Sequence, residues 1–328
     1  MKLSHRTYLS LLSILLITAS LLALALGSAQ IENVWSYIFN PSLNPGSSAH
    51  QIIWDIRAPR IAAALIVGAA LAIAGVLAQA GANNPLADPA IIGTTAGASL
   101  GVLIGIFFNV VSIGSLGSVI FATIGALAAT LLVFSLARSS IQLVIIGIGI
   151  SAILSAVVGL AIAIIDRADA RSISFWAFGS LSLVTRDSIW LLLPIAAICT
   201  LAAWWIAPSL DLLSLGDTSA RHLGFSPQKI RVRAFLVLAV LVAVAVTTVG
   251  TISFLALAAP HIARSFVGPR SRRLIPVAAL VGAFILLIAD TAARSIAPPL
   301  ELPIGLITSL LGAPILIWAV KKSAQVWR

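Results

Sequence analysis

The 328 residues are 60% apolar and 9% charged, with a mean hydropathy of +1.12, which excludes a water-soluble two-domain enzyme and identifies an integral membrane chain. Lys and Arg number 20 against 10 Asp and Glu, few enough that the intervals between charges can be measured against the ~20 apolar residues that span a bilayer. One Cys and four scattered His argue against disulfide, redox and zinc chemistry.

Charge-free stretches run over 7–31, 61–87, 89–137, 139–165, 188–210, 234–263, 274–289 and 302–320. The first, behind Lys2 and Arg6 and ahead of Gly27-Ser28-Ala29, resembles a signal peptide, but its apolar run from Leu9 to Leu26 exceeds the ~7–15 residues of such a segment, so a first span is expected. The stretch 89–137 would be ~73 Å long as one helix and must fold back, with the turn expected around Asn109 to Ser118. The stretch 234–263 is either one tilted helix or two short ones turning near Gly250. Two passes there place 14 of the 20 Lys and Arg on the side of the termini, whereas one pass splits them eight to twelve. The positive-inside bias therefore predicts an all-α polytopic membrane protein with ten transmembrane helices and both termini cytoplasmic. Residues 1–328 form a single transmembrane domain, with a cytoplasmic loop over about 208–233.

The polar segments follow in chain order. Arg57-Ala58-Pro59-Arg60 opens the second span on the outer side, where two arginines at i and i+3 share a face; they either anchor headgroups or dock an acidic partner. Gln79 and then Asn83-Asn84-Pro85-Leu86-Ala87-Asp88-Pro89 make a tight loop, because two prolines and the Asn and Asp residues forbid a continuous helix. In the outer loop 166–187, Phe175-Trp176-Ala177-Phe178 suits a short interfacial helix with its aromatics at headgroup depth. In the cytoplasmic loop, Asp217 is placed to cap a short helix that Gly224 ends. His261 stands alone, and a structural hydrogen bond explains it better than catalysis. Asp290 and Arg294, at i and i+4, suit an ion pair better than a proton relay.

Taken together these segments resemble the FecCD family, the permease subunits of importers of the ATP-binding-cassette type for iron-siderophore complexes, haem and vitamin B12. The resemblance rests on Arg57-Ala58-Pro59-Arg60, Gly75, Gln79, Asn84 to Pro89, Gly93, Gly97-Ala98, Gly216-Asp217 with Ala220 and Leu223-Gly224, Ile252-Ser253-Phe254, Pro260 to Arg264, Ala289-Asp290 with Arg294, and Glu301 to Gly305 through Gly312-Ala313-Pro314. The chain departs from the family pattern only mildly, at Leu255 to Ala259.

The resemblance implies a ten-helix permease in a bacterial cytoplasmic membrane. It pairs with a second copy or a paralogue, two cytoplasmic ATPase subunits and an extracytoplasmic binding protein, and with no nucleic acid. It further implies that Arg57, Arg60 and Arg294 dock the binding protein. Gly216, Asp217, Ala220, Arg221, Leu223 and Gly224 would couple to the ATPase, with Ala220 small enough for close approach. Asn84 and Leu86, with Ser139 and Ser140, would form the cytoplasmic gate. No Gly-x-x-x-x-Gly-Lys-Ser/Thr phosphate loop occurs, so the chain is expected to be no enzyme, to bind no cofactor or metal, and to leave ATP and Mg to its partner. Substrates rank as ferric siderophore, then haem, then B12. The rival classes are an ion-coupled secondary transporter, which needs a titratable midplane site, and a membrane-embedded enzyme, which needs convergent polar groups.

Overall fold

A computed structural model describes residues 4–137, 139–164, 170–298, 300–310 and 312–314. Among them there is no β-strand. The principal helices are α1 (His5–Ala25), α2 (Ala58–Gly81), α3 (Thr94–Phe107), α4 (Leu116–Leu136), α5 (Ser140–Ile164), α6 (Arg186–Leu213), α7 (Asp217–His222), α8 (Pro227–Val249), α9 (Leu255–Val267), α10 (Ser271–Ala293) and α11 (Ile304–Pro314). Seven of these are long and apolar enough to cross a membrane: α1, α2, α4, α5, α6, α8 and α10. The shorter apolar helices α3, α9 and α11 complete the bundle. The expected last span, 302–320, runs partly outside the described residues, as do Lys321, Lys322 and Arg328.

α2 and α8 form the centre, with α10 packed along α2 and α3 along α4. Apolar surface drives no association between helices in lipid, so close approach depends on small residues. A Cβ on Gly68 would overlap the backbone of Gly282, one on Gly75 the carbonyl of Ala256, and one on Gly97 the backbone of Gly125. α5 is the opposite case. It turns Gly149, Ala152, Ala156 and Gly159 outward with Ile141, Ile145 and Ile148, and a Cβ on Gly149 or Gly159 would meet nothing within 4 Å.

The stretch 89–137 folds back between Phe107 and Leu116, where Asn109 and Gly114 take positive φ. The stretch 234–263 is not one helix. α8 stops at Gly250 (φ 78°), whose missing side chain lets the Trp176 carbonyl lie against the backbone, and α9 begins five residues later. α2 does not begin at Pro59 as a fresh helix, because helical backbone already runs from Ser48 through a π-helical segment, Gln51–Arg57. The wider turn accommodates a proline that has no N–H for an ordinary helical bond.

The helix Ala170–Ala177 exists, but its tryptophan is not interfacial. Trp176 is fully buried and its Nε1 donates to Val246 O at 3.0 Å. The segment after it is stitched inward: Ser180 N donates to Val249 O, and Ile304 N donates to Gly179 O. A ring with a satisfied N–H belongs in the core as readily as in an aromatic belt, and the aromatic run alone does not distinguish the two.

Candidate functional site

Chemistry-bearing residues gather at the two ends of the bundle. At one end, Arg57, Arg60 and Arg294 come together as expected, but as part of the fold. They are 3%, 5% and 4% exposed. Arg60 Nε donates to Asp290 Oδ1 at 2.7 Å, and its Nη1 donates to both oxygens of Glu301 at 2.9 Å. Arg294 Nε lies 3.5 Å from Asp290 Oδ2, the anticipated i,i+4 pair, so Asp290 is shared between two guanidinium groups. Arg57 donates to Leu24 O (2.7 Å), Ala25 O (3.0 Å) and Ala29 O (2.7 Å), and Arg294 Nη2 donates to Ala23 O (2.5 Å). Two arginines thus occupy the carbonyls that the C-terminus of α1 leaves without intrahelical partners, at the negative end of its dipole. Gly27 gives the Arg57 guanidinium room, since a Cβ there would press on it at 2.7 Å. The resemblance implies an exposed docking patch. Burial and committed donors instead make these side chains a clasp that joins α1, α2 and α10.

At the opposite end, the turn 82–93 follows α2. Asn84 Oδ1 accepts from Leu86 N at 2.9 Å, which fixes the loop, and Leu86 stands exposed. Asp88 is buried, with Oδ1 accepting from Ala90 N at 2.7 Å, and burial pushes its carboxyl up to about 6 despite that bond. Ser139 is exposed and its Oγ accepts from Gln142 N at 3.2 Å at the start of α5. The Ser140 side chain lies outside the described residues. Ser139 shares a cavity with Asn83 and Asp217, while Asn84 lines a neighbouring one on the other side of Asn83. The two expected gate loops therefore flank the end of α2.

α7 forms where the short helix is expected, with one difference. Gly216 (φ 88°) is the N-cap, and Asp217, the first helical residue, pairs with Arg231 through two 2.8 Å bonds. Those bonds hold the Asp217 carboxyl below the usual carboxylate range. Ala220 is buried against this chain, so its smallness serves α7's own seating, while Arg221 and Leu223 face outward and Gly224 (φ 82°) ends the turn. Three participants, Arg231, Leu215 and Phe225, have no sequence signal of their own. Arg231 Nε also donates to Gly81 O at 3.0 Å, linking α7 to the last turn of α2. Leu215 and Phe225 are 57% and 46% exposed beside Leu223 at 57%.

Between the ends, His261 Nδ1 donates to Leu257 O at 3.1 Å, the structural bond anticipated for it. Among the described residues no cluster of three His, Cys, Asp or Glu suited to a metal occurs.

The sequence pattern of the FecCD transport family matches residues 12–322. The iron(3+)-hydroxamate import system permease protein FhuB of Bacillus subtilis is 37% identical over 317 residues, 95% of this chain and 82% of that protein. The hemin transport system permease protein HmuU of Yersinia pestis is 38% identical over 322 residues, covering 93% and 94%. A structure described as an inward-facing conformation of a metal-chelate type ABC transporter superposes with a TM-score of 0.82 at 32% identity, covering 97% of this chain and 100% of that one.

Proposed function

The chain belongs to the FecCD transport family, and from that premise we propose that it is the permease subunit of an ATP-driven importer that carries an iron chelate across a bacterial cytoplasmic membrane by alternating access. All ten apolar helices cross in this reading, with both termini cytoplasmic. The observation that carries it is the α7 end. Leu215, Leu223 and Phe225 stand exposed on a connector whose flanking residues include Arg221, Lys229 and Arg233, so they face water rather than lipid hydrocarbon. An exposed apolar patch in water marks a protein contact. A partner ATPase accounts for it, and the Asp217–Arg231–Gly81 linkage gives that partner a rigid handle on α2.

A second copy or paralogue completes the path, supported by the outward small residues of α5. The binding protein docks at the arginine end. There, three guanidinium groups face two carboxylates and Arg57 bonds only carbonyls, so the cluster steers acidic lobes through its net positive field without giving up its bonds. Ferric siderophore ranks first as substrate, then haem, then B12. The relatives named for hydroxamate and hemin differ by one point of identity, which leaves that order to be measured.

The test is uptake into proteoliposomes holding the permease, its ATPase and its binding protein. ATP-dependent accumulation of a ferric hydroxamate, exceeding that of hemin and B12, is the expected result. Accumulation driven by an ion gradient without ATP would sink the proposal.

A further inference from the structure

A cavity of about 350 Å³ lies at the α7 end of the bundle, among α2, α6, α9 and the start of α10. Its lining includes Gln79, Asn83, Asp211, Arg264, Arg270 and Ser271. Gln79 is 4% exposed. Its Oε1 accepts from Arg264 Nη2 at 2.7 Å, and since a guanidinium only donates, the amide nitrogen must be the atom turned away from Arg264. That nitrogen has no partner. A buried donor without an acceptor is uncommon in a folded chain and requires an explanation. Among the described residues no carboxylate pairs with Arg264 or Arg270. Asp211, the lining acid, directs Oδ1 to Ser271 N at 2.9 Å and so serves the start of α10. The lining therefore carries two guanidinium groups, one carboxylate and a free amide donor. Such a set accepts an anion with several oxygens. At ~30 Å³ per water, the space is far larger than one bridging water needs.

The depth of the cavity identifies what carries the anion. Trp204 and Trp205 lie on α6 about 10 Å before Asp211, and the Arg272 guanidinium stacks 4.4 Å over the Trp204 ring. Exposed tryptophans mark the level where acyl chains give way to headgroups, so the cavity sits just beyond it, among the phosphates.

We propose that this cavity binds the phosphate of an anionic lipid headgroup, with Gln79 Nε2, Arg264 and Arg270 as its donors. Occupied, it ties the end of α2 to α6 and α10. It requires only that the chain lie in a bilayer, so it stands or falls separately from the transport reading.

The test is the thermal unfolding midpoint of the full chain in detergent, titrated with phosphatidylglycerol, phosphatidylcholine or inorganic phosphate, with native mass spectrometry counting retained lipid. Phosphatidylglycerol is expected to raise the midpoint and to be retained, while phosphatidylcholine does neither. Arg270→Gln, at an exposed position that does not threaten the fold, removes a charge-assisted hydrogen bond and weakens phosphatidylglycerol binding roughly tenfold. Gln79→Glu keeps the partner of Arg264 but replaces the free donor with a repelling oxygen, and should do at least as much. Equal responses to the two lipids, or binding unchanged in both variants, overturns the proposal. Inorganic phosphate alone matching phosphatidylglycerol overturns the assignment to lipid.

Discussion

The charged side chains of this bundle are distinguished by what leaving them alone would cost. Removing one partner from a buried ion pair costs about 3–5 kcal/mol, because the other charge stays buried. Arg60→Met should therefore lower the unfolding midpoint sharply, and adding Asp290→Asn should restore part of the loss; additive effects would contradict the 2.7 Å pairing. Asp88 behaves in the opposite sense. Its folded value, about 6, lies above the unfolded one, so its penalty is absent below about pH 4, grows as pH rises through 6 and is complete above it. Asp88→Asn keeps an acceptor for Ala90 N and should stabilise the chain by up to about 3 kcal/mol at pH 8, and not at all at pH 4. Denaturation at the two pH values checks it. The i,i+4 spacing of Asp290 and Arg294 was legible in the sequence. The links to Arg60 and Glu301 were not, because they join residues 230 and 241 positions apart and no local period encodes them.

Among the elements, glycine has two meanings that only packing separates. Gly75→Ala would push the α2 backbone from α9 and should cost ~1–3 kcal/mol, whereas Gly149→Ala on the outward face of α5 should leave stability unchanged or slightly raise it. Parallel unfolding curves of the two variants decide this. α7 carries a functional counterpart. Arg231→Gln breaks the pair with Asp217 and frees Gly81, so uptake should fall several-fold while ATP hydrolysis by the assembled complex continues; unchanged uptake would mean that α7 acts without α2. The pair itself is partly exposed and worth only ~0.2–1 kcal/mol, so the variant should fold. Asparagines, prolines and glycines announced the turns after α2, between α3 and α4, after α7 and at Gly250, but the α4–α5 turn at 137–139 carries none of them. The helix Ala170–Ala177 misled because an aromatic run reads the same at a membrane surface and in a core, and only the Val246 carbonyl decides for Trp176.

For the whole molecule, apolar composition and charge spacing were enough to expect a helical bundle with polar ends, since bilayer thickness fixes span length. They left the roles of the ends open. The arginine end looked like a surface from the sequence and is a clasp, because burial depends on which helices meet there. The gate reading can be checked in the assembled transporter. With Cys199 replaced by Ala, Ser139→Cys in both copies should crosslink in one nucleotide state and not another; crosslinking that ignores nucleotide would move the gate elsewhere. Docking at the arginine end should show an association rate that falls several-fold between 50 and 500 mM salt, as screening of a steering field requires. A salt-independent rate would remove electrostatic steering.

The clasp also sets a schedule for synthesis. Arg57 lies 32 residues beyond Ala25, so at roughly 5–20 residues per second it reaches the end of α1 about 2–6 seconds after that helix is made. Arg294 is 271 residues beyond Ala23 and follows after roughly 15–55 seconds, and Asp290 reaches Arg60 only slightly sooner. Over the 230 residues that separate Arg60 from Asp290 the nascent chain holds an unneutralised arginine at the lip of the bilayer, and that charge finds its acid only once the ribosome has made them.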